Sequence, residues 1–142
     1  FVAYWVKIIY DRETYVIDLD RIGAFSVSSN HKITFWLPDG GVSICIHPQS
    51  NAESYQKVLN YLEKIHHKTT VSADWIKFHY DREEYLLDLN RISAFSQDPN
   101  THKISFWLPD NGTKMILHPH SNADAHGKVL EYIERKTGYY LK

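Results

Sequence analysis

Hydrophobic and polar residues alternate along much of this chain, and the alternation is written twice. Trp5-Val6-Lys7-Ile8-Ile9-Tyr10 places Val6, Ile8 and Tyr10 on one side of an extended strand and Trp5, Lys7 and Ile9 on the other. Trp75 to Tyr80 repeats this with Ile76, Phe78 and Tyr80 on the first side. After the charged turn Asp11-Arg12-Glu13, a second strand from Tyr15 to Asp20 turns Tyr15, Ile17 and Leu19 inward. Ile22 then falls out of phase, which predicts a bulge or a break near Arg21, with Ile22 to Phe25 continuing extended. In His31-Lys32-Ile33-Thr34-Phe35-Trp36-Leu37, Ile33, Phe35 and Leu37 share one face and Lys32, Thr34 and Trp36 the other. Pro38-Asp39-Gly40-Gly41 has the chemistry of a tight turn: proline fixes φ, aspartate bonds its own backbone, and glycine takes positive φ. Val42 to Ile46 returns, completing a hairpin. Pro109-Asp110-Asn111-Gly112 marks the same hairpin in the second copy.

A helix follows each hairpin. Ser50 precedes Glu53 by three residues, and Ser121 precedes Asp124 by three, the spacing of a capping box. Ala52, Tyr55, Val58, Leu59, Leu62 and Ile65 recur at helical spacing, as do Ala123, His126, Val129, Leu130 and Ile133. The periodicity predicts helices from about Asn51 to Ile65 and from about Asn122 to Lys136. Gly138 is the expected stop for the second, and His66 to Asp74 a polar linker. The copies align from Trp5 and from Trp75 at an offset of 70, which becomes 71 after a single insertion in the loop before His102.

The expected fold class is therefore α+β: tandem β-β-β-β-α repeats, residues 1–70 and 71–142, packed as an intramolecular pseudo-dimer. Each repeat is a small antiparallel sheet with one C-terminal helix across one face. The opposite face carries Trp5, Lys7, Ile9, Val16, Lys32, Trp36, Ser43, Cys45 and His47, half aromatic or apolar and half polar.

Charge narrows the function classes. Sixteen basic and seventeen acidic side chains give a formal net charge of −1, which counts against a strongly electrostatic partner such as duplex DNA or an anionic membrane. The single cysteine, Cys45, rules out an internal disulfide and points to a reducing, cytoplasmic compartment. The apolar run at the start is interrupted by Lys7 and is too short to span a bilayer.

The sequence presents no catalytic constellation. Cys45 and His47 lie two apart on a strand, but the second copy has Ile116 in place of the thiol, which reads as an ordinary apolar position. His118, His120 and His126 have no carboxylate or thiol pattern to complete a metal site. No glycine-rich phosphate loop or other cofactor motif is present. The candidate binding residues are aromatic and basic: Trp5, Trp36, Trp75 and Trp107 as stacking platforms, with Lys7, Arg21, Lys32, Lys77, Arg91 and Lys103 along a backbone. The competing reading buries the tryptophans against the other repeat, a protein partner or a second copy.

Four antiparallel strands and a helix in tandem resemble the PUR repeat of the Pur-alpha proteins, a plan shared with the Whirly proteins and a transcriptional coactivator fold. That resemblance lies in element order and repeat length. It implies single-stranded DNA or RNA held on the helix-free sheet faces by basic and aromatic residues. The alternative is a protein-interaction module that dimerises through those same faces.

Overall fold

A computed structural model describes residues 3–38, 41–71, 74–109 and 112–141. The turn residues Asp39, Gly40, Asp110 and Asn111 lie outside these. The chain is α+β, with two helices and small antiparallel sheets, each helix following its group of strands.

In the first repeat β1 (Trp5–Tyr10) and β2 (Glu13–Asp18) form a hairpin, followed by β3 (Ala24–Val27), β4 (Ile33–Trp36), β5 (Ser43–Ile46) and α1 (Ala52–Val71). The second repeats the order with β6 (Trp75–Tyr80), β7 (Glu83–Asp88), β8 (Phe95–Gln97), β9 (Ile104–Trp107), β10 (Lys114–Leu117) and α2 (Ala123–Thr137). Among the described residues each repeat thus has five strands instead of four. The expected break near Arg21 is a single 3-10 turn, Leu19–Arg21, whose Asp20 amide is held by Asp18. Asp18 Oδ1 accepts from the Asp20 and Tyr4 N–H groups, both at 3.0 Å. Leu89–Arg91 is the matching turn, with Asp88 accepting from Asn90 N–H. The turn ends one strand and lets the next join a different sheet.

The sheets do not follow the repeat boundary. β1 and β2 stand as a two-stranded sheet, β10-β9-β8 form a second, and β5-β4-β3-β7-β6 form a third that runs across both repeats. Its seam is antiparallel, with Ala24 opposite Leu87, Phe25 opposite Leu86 and Ser26 opposite Tyr85. The copies are therefore joined head to tail: the third strand of one pairs with the second strand of the next.

Alternation along the seam strands sends neighbouring side chains into two different cores. Phe25 and Leu86 enter the first, with Ile8, Phe35, Ile44 and Val58. Ala24 and Leu87 enter the second, with Phe78, Phe106, Met115 and Val129. The middle of the five-stranded sheet is consequently covered on both sides, which closes part of the face expected to be open.

Two helix details differ from the sequence reading. α1 runs on to Val71, through the segment expected as linker, because that stretch contains no glycine or proline to stop it. α2 does stop at Gly138, in left-handed conformation at φ 79°, its N–H donating to the Glu134 carbonyl. The N-cap of α2 is Asn122, not Ser121, and no side-chain capping bond forms there. The Asn122 Oδ1 instead accepts from His118 N–H at 3.0 Å, as Asn51 accepts from His47 N–H at 3.1 Å.

The first hairpin turn of each copy stores backbone strain. Asp11 and Arg12 have φ of 51° and 68°, and Asp81 and Arg82 have 50° and 68°. Left-handed backbone costs a side-chain-bearing residue about 1–2 kcal/mol, and glycine's greater unfolded freedom returns part of any gain. Asp11→Asn with Arg12→Gly should therefore stabilise the protein by about 0.5–1 kcal/mol, read as a higher urea midpoint.

Candidate nucleic-acid interface

The ten candidate side chains separate into groups. Trp75 packs against the first core. Lys77 Nζ lies 3.5 Å from Glu84, and His79 lies 3.7 Å from the same carboxylate. Arg91 is half-buried and donates from a guanidinium N–H to the Arg21 carbonyl, a bond that crosses between the repeats. Its Cγ would lie 3.0 Å from a Cβ built on Gly23, so the arginine stem packs where glycine leaves room. These three are engaged inside the molecule. Arg21 itself is exposed at the end of its turn.

Trp5 and Lys7 lie on the outer face of β1, Trp5 at 64% exposure. Lys7 stands opposite Val16, which is 65% exposed, so the outer face of this hairpin is mostly apolar. A cleft of about 440 Å³ is lined by Tyr4, Trp5, Lys7, Lys57 and Asn60.

The remaining four, Lys32, Trp36, Lys103 and Trp107, belong to the two central hairpins. On β9 and β10 the inward residues Ile104, Phe106, Met115 and Leu117 are buried in the second core with α2. The outward residues run from Trp107 beside Lys114, through Ser105 beside Ile116, toward Lys103 and His118. Trp107 is 40% exposed, and Lys114 Nζ lies 5.9 Å from its ring centroid. On β4 and β5 the same strip reads Trp36 beside Ser43, Thr34 beside Cys45, then Lys32 and His47. Trp36 is half-buried against the second core. Each strip spans about 13 Å from tryptophan to lysine at strand rise.

The loops at the lysine ends are held from beneath. His31 and His102 have φ of 69° and 64°. The Tyr55 hydroxyl donates to the His31 carbonyl at 2.6 Å, and His126 Nε2 stands 2.6 Å from the His102 carbonyl, which fixes that nitrogen as a donor. Tyrosine and histidine thus fill equivalent helix positions and serve equivalent bonds. Beside Lys103, the Asp98 carboxyl is held below its ordinary range, first by N–H donation from Thr101 and Asn100 and, less, by the lysine's charge. That carboxylate partly offsets the cation in the second copy.

Cys45 Sγ lies 4.0 Å from His47 Nε2. Among the described residues no three His, Cys, Asp or Glu side chains gather as metal ligands, and no helix is long and apolar enough to cross a membrane. The sequence reading missed Lys114 and Lys57. Lys114 has Ser43 as its counterpart, so comparison of the repeats passed over it, and its place opposite Trp107 emerges from the register of β9 against β10.

No family model matches the chain, and no curated protein does. Among solved structures, it is similar to a LytTr DNA-binding domain of a methyl-accepting/DNA response regulator from Bacillus cereus. The match has a TM-score of 0.49 and 12% identity, and covers 96% of this chain and 98% of that one.

Proposed function

We propose that this protein is a non-enzymatic binding module for single-stranded nucleic acid, held on the outward strips of the two central hairpins. One observation carries the reading: the same run, tryptophan at one end and Lys–His at the other, occurs on the helix-free side of both hairpins. A strand laid along it would stack a base on Trp107 and bring phosphates to Lys103 and Lys114. Trp36 and Lys32 offer a reduced version in the first copy, with the ring partly packed on the second core and Ser43 in place of Lys114. The near-neutral charge fits a ligand gripped mainly by stacking, with few ionic contacts.

The test is a titration of short mixed-sequence single strands, DNA and RNA, followed by tryptophan fluorescence at several salt concentrations. Quenching with a shallow salt dependence is expected. Lys103→Ala should flatten the slope of log K against log salt by about 0.7, the loss of one phosphate contact on a single strand. Tighter binding to the matching duplex than to the single strand would exclude the single-stranded form. Absence of binding to any of them would remove the reading.

A further inference from the structure

The seam inside this molecule has a donor half and an acceptor half, and each repeat owns both. Only one of each is used. β3 pairs with β7. Their counterparts, β8 in the second repeat and β2 in the first, are sheet-edge strands with a strand neighbour on one side only. The other edge strands do not differ in this way: β1 and β6 are edges in both copies, as are β5 and β10. The two strands that differ sit at opposite ends of the repeat order.

Burial follows the same division. Phe25 is 0% exposed and Ser26 2%, while Phe95 is half-buried and Ser96 exposed. Ala24 is buried and Ala94 exposed. Leu86 is 4% exposed, whereas Val16 at the same place in the first repeat is 65% exposed. Trp75 packs on the first core, while Trp5 is open. α1 contacts β6 of the following repeat as well as β1 of its own. These pairs differ because one member of each is covered by the adjoining repeat.

We infer that a second copy of this chain docks end to end, the β2 edge of one molecule adding to the β8 edge of another. The internal seam supplies the register: Ala94 opposite Ile17, Phe95 opposite Val16, Ser96 opposite Tyr15 and Gln97 opposite Thr14. The contact covers Val16 and Trp5 beside Phe95 and α2, as Leu86 is buried and Trp75 half-buried against the first core with Phe25. It is heterologous, so repeated addition builds either a closed ring or an open filament. Without the covalent link that joins the internal pair, it is concentration-dependent. One difference between the repeats weakens it. Gly23 sits where a Cβ would meet Arg91 at 3.0 Å and Pro109 at 3.2 Å. Ser93 fills that place in the second repeat, so Arg21 and Pro38 of the incoming copy must give way. This inference does not depend on the nucleic-acid reading.

Sedimentation of the nucleic-acid-free protein tests it, up to about 1 mM, the weak end of the affinity scale. Mass should rise with concentration above 16.7 kDa. Val16→Lys should abolish the rise, and its exposure leaves the monomer folded, checked by circular dichroism. Ser93→Gly should shift the rise to at least several-fold lower concentration. In a Cys45→Ser background, Thr14→Cys and Gln97→Cys proteins should cross-link on oxidation when mixed, and neither should do so alone. A monomer throughout overturns the inference. So does association that Val16→Lys leaves intact, or that Val16→Lys removes but Thr14→Cys supports by itself, which would mark a two-fold contact.

Discussion

Leu86→Ala should cost about 2–5 kcal/mol, while Val16→Ala, the same position of the other repeat, should change stability by less than about 0.5 kcal/mol. Leu86 belongs to the second repeat by sequence, yet its side chain fills the first core with Phe25, Ile33 and Val58. Truncating it leaves a cavity between a sheet fixed by both repeats and the helix of the first, a site with little room to collapse. Val16 stands on the open face of β2 and loses only water-exposed methyl groups. In urea the Leu86 variant should lower the midpoint by roughly 1–2 M at ordinary denaturant sensitivity, in one transition, because its cavity lies in the layer both repeats share. Equal effects at the two positions would mean that the seam is not where the free energy lies. A split transition would mean that the repeats unfold separately.

That asymmetry also marks how far the sequence was legible. Ile33, Phe35, Ile44 and Ile46 advertise a hairpin with one buried face, since burial by a neighbouring helix leaves a period of two in the residues themselves. Which strand lies alongside β3 leaves no such trace. Val16 and Leu86 are both branched apolar residues, yet one is open and the other buried. Both repeats carry the pattern for the seam, but each strand can fill it only when a neighbour is present. The visible signal was the exchange of Gly23 for Ser93, which takes meaning only once Arg91 and Pro109 are seen against the glycine. The helix starts were ambiguous for a local reason. Ser50 and Asn51 are both good caps, and Asn51 is drawn to the His47 amide. For the binding strip, alternation put Trp107 and Lys103 on the helix-free side, and Lys114 beside the ring needed the register of β9 against β10.

Among the tryptophans, Trp107→Ala should weaken single-strand binding most, by about 5- to 150-fold, the range of one lost base–aromatic stack at 1–3 kcal/mol. Trp107 is 40% exposed and outside the buried core, so its removal should leave the protein folded and lower the urea midpoint less than Trp36→Ala does. Trp36→Ala should lose less affinity and more stability, because that ring already packs on the second core. Trp75→Ala should act on stability, its ring lying against the first core. Trp5→Ala is the discriminating control. Its ring is more exposed than Trp107, yet it lies on the β1–β2 face assigned to self-association. It should lower the concentration-dependent mass and leave affinity for a single strand at low protein concentration intact. If Trp5→Ala weakens that affinity and Trp107→Ala does not, the nucleic-acid site is the cleft between Trp5, Lys7 and Lys57. Strand binding and end-to-end docking would then compete for one surface, and added single strand would dissociate the assembly. With the strip at Trp107 as the site, competition is partial. Docking in the internal register brings the incoming copy against Trp107, as the adjoining repeat half-buries its counterpart Trp36, so single strands should weaken the assembly less than they would at the Trp5 cleft.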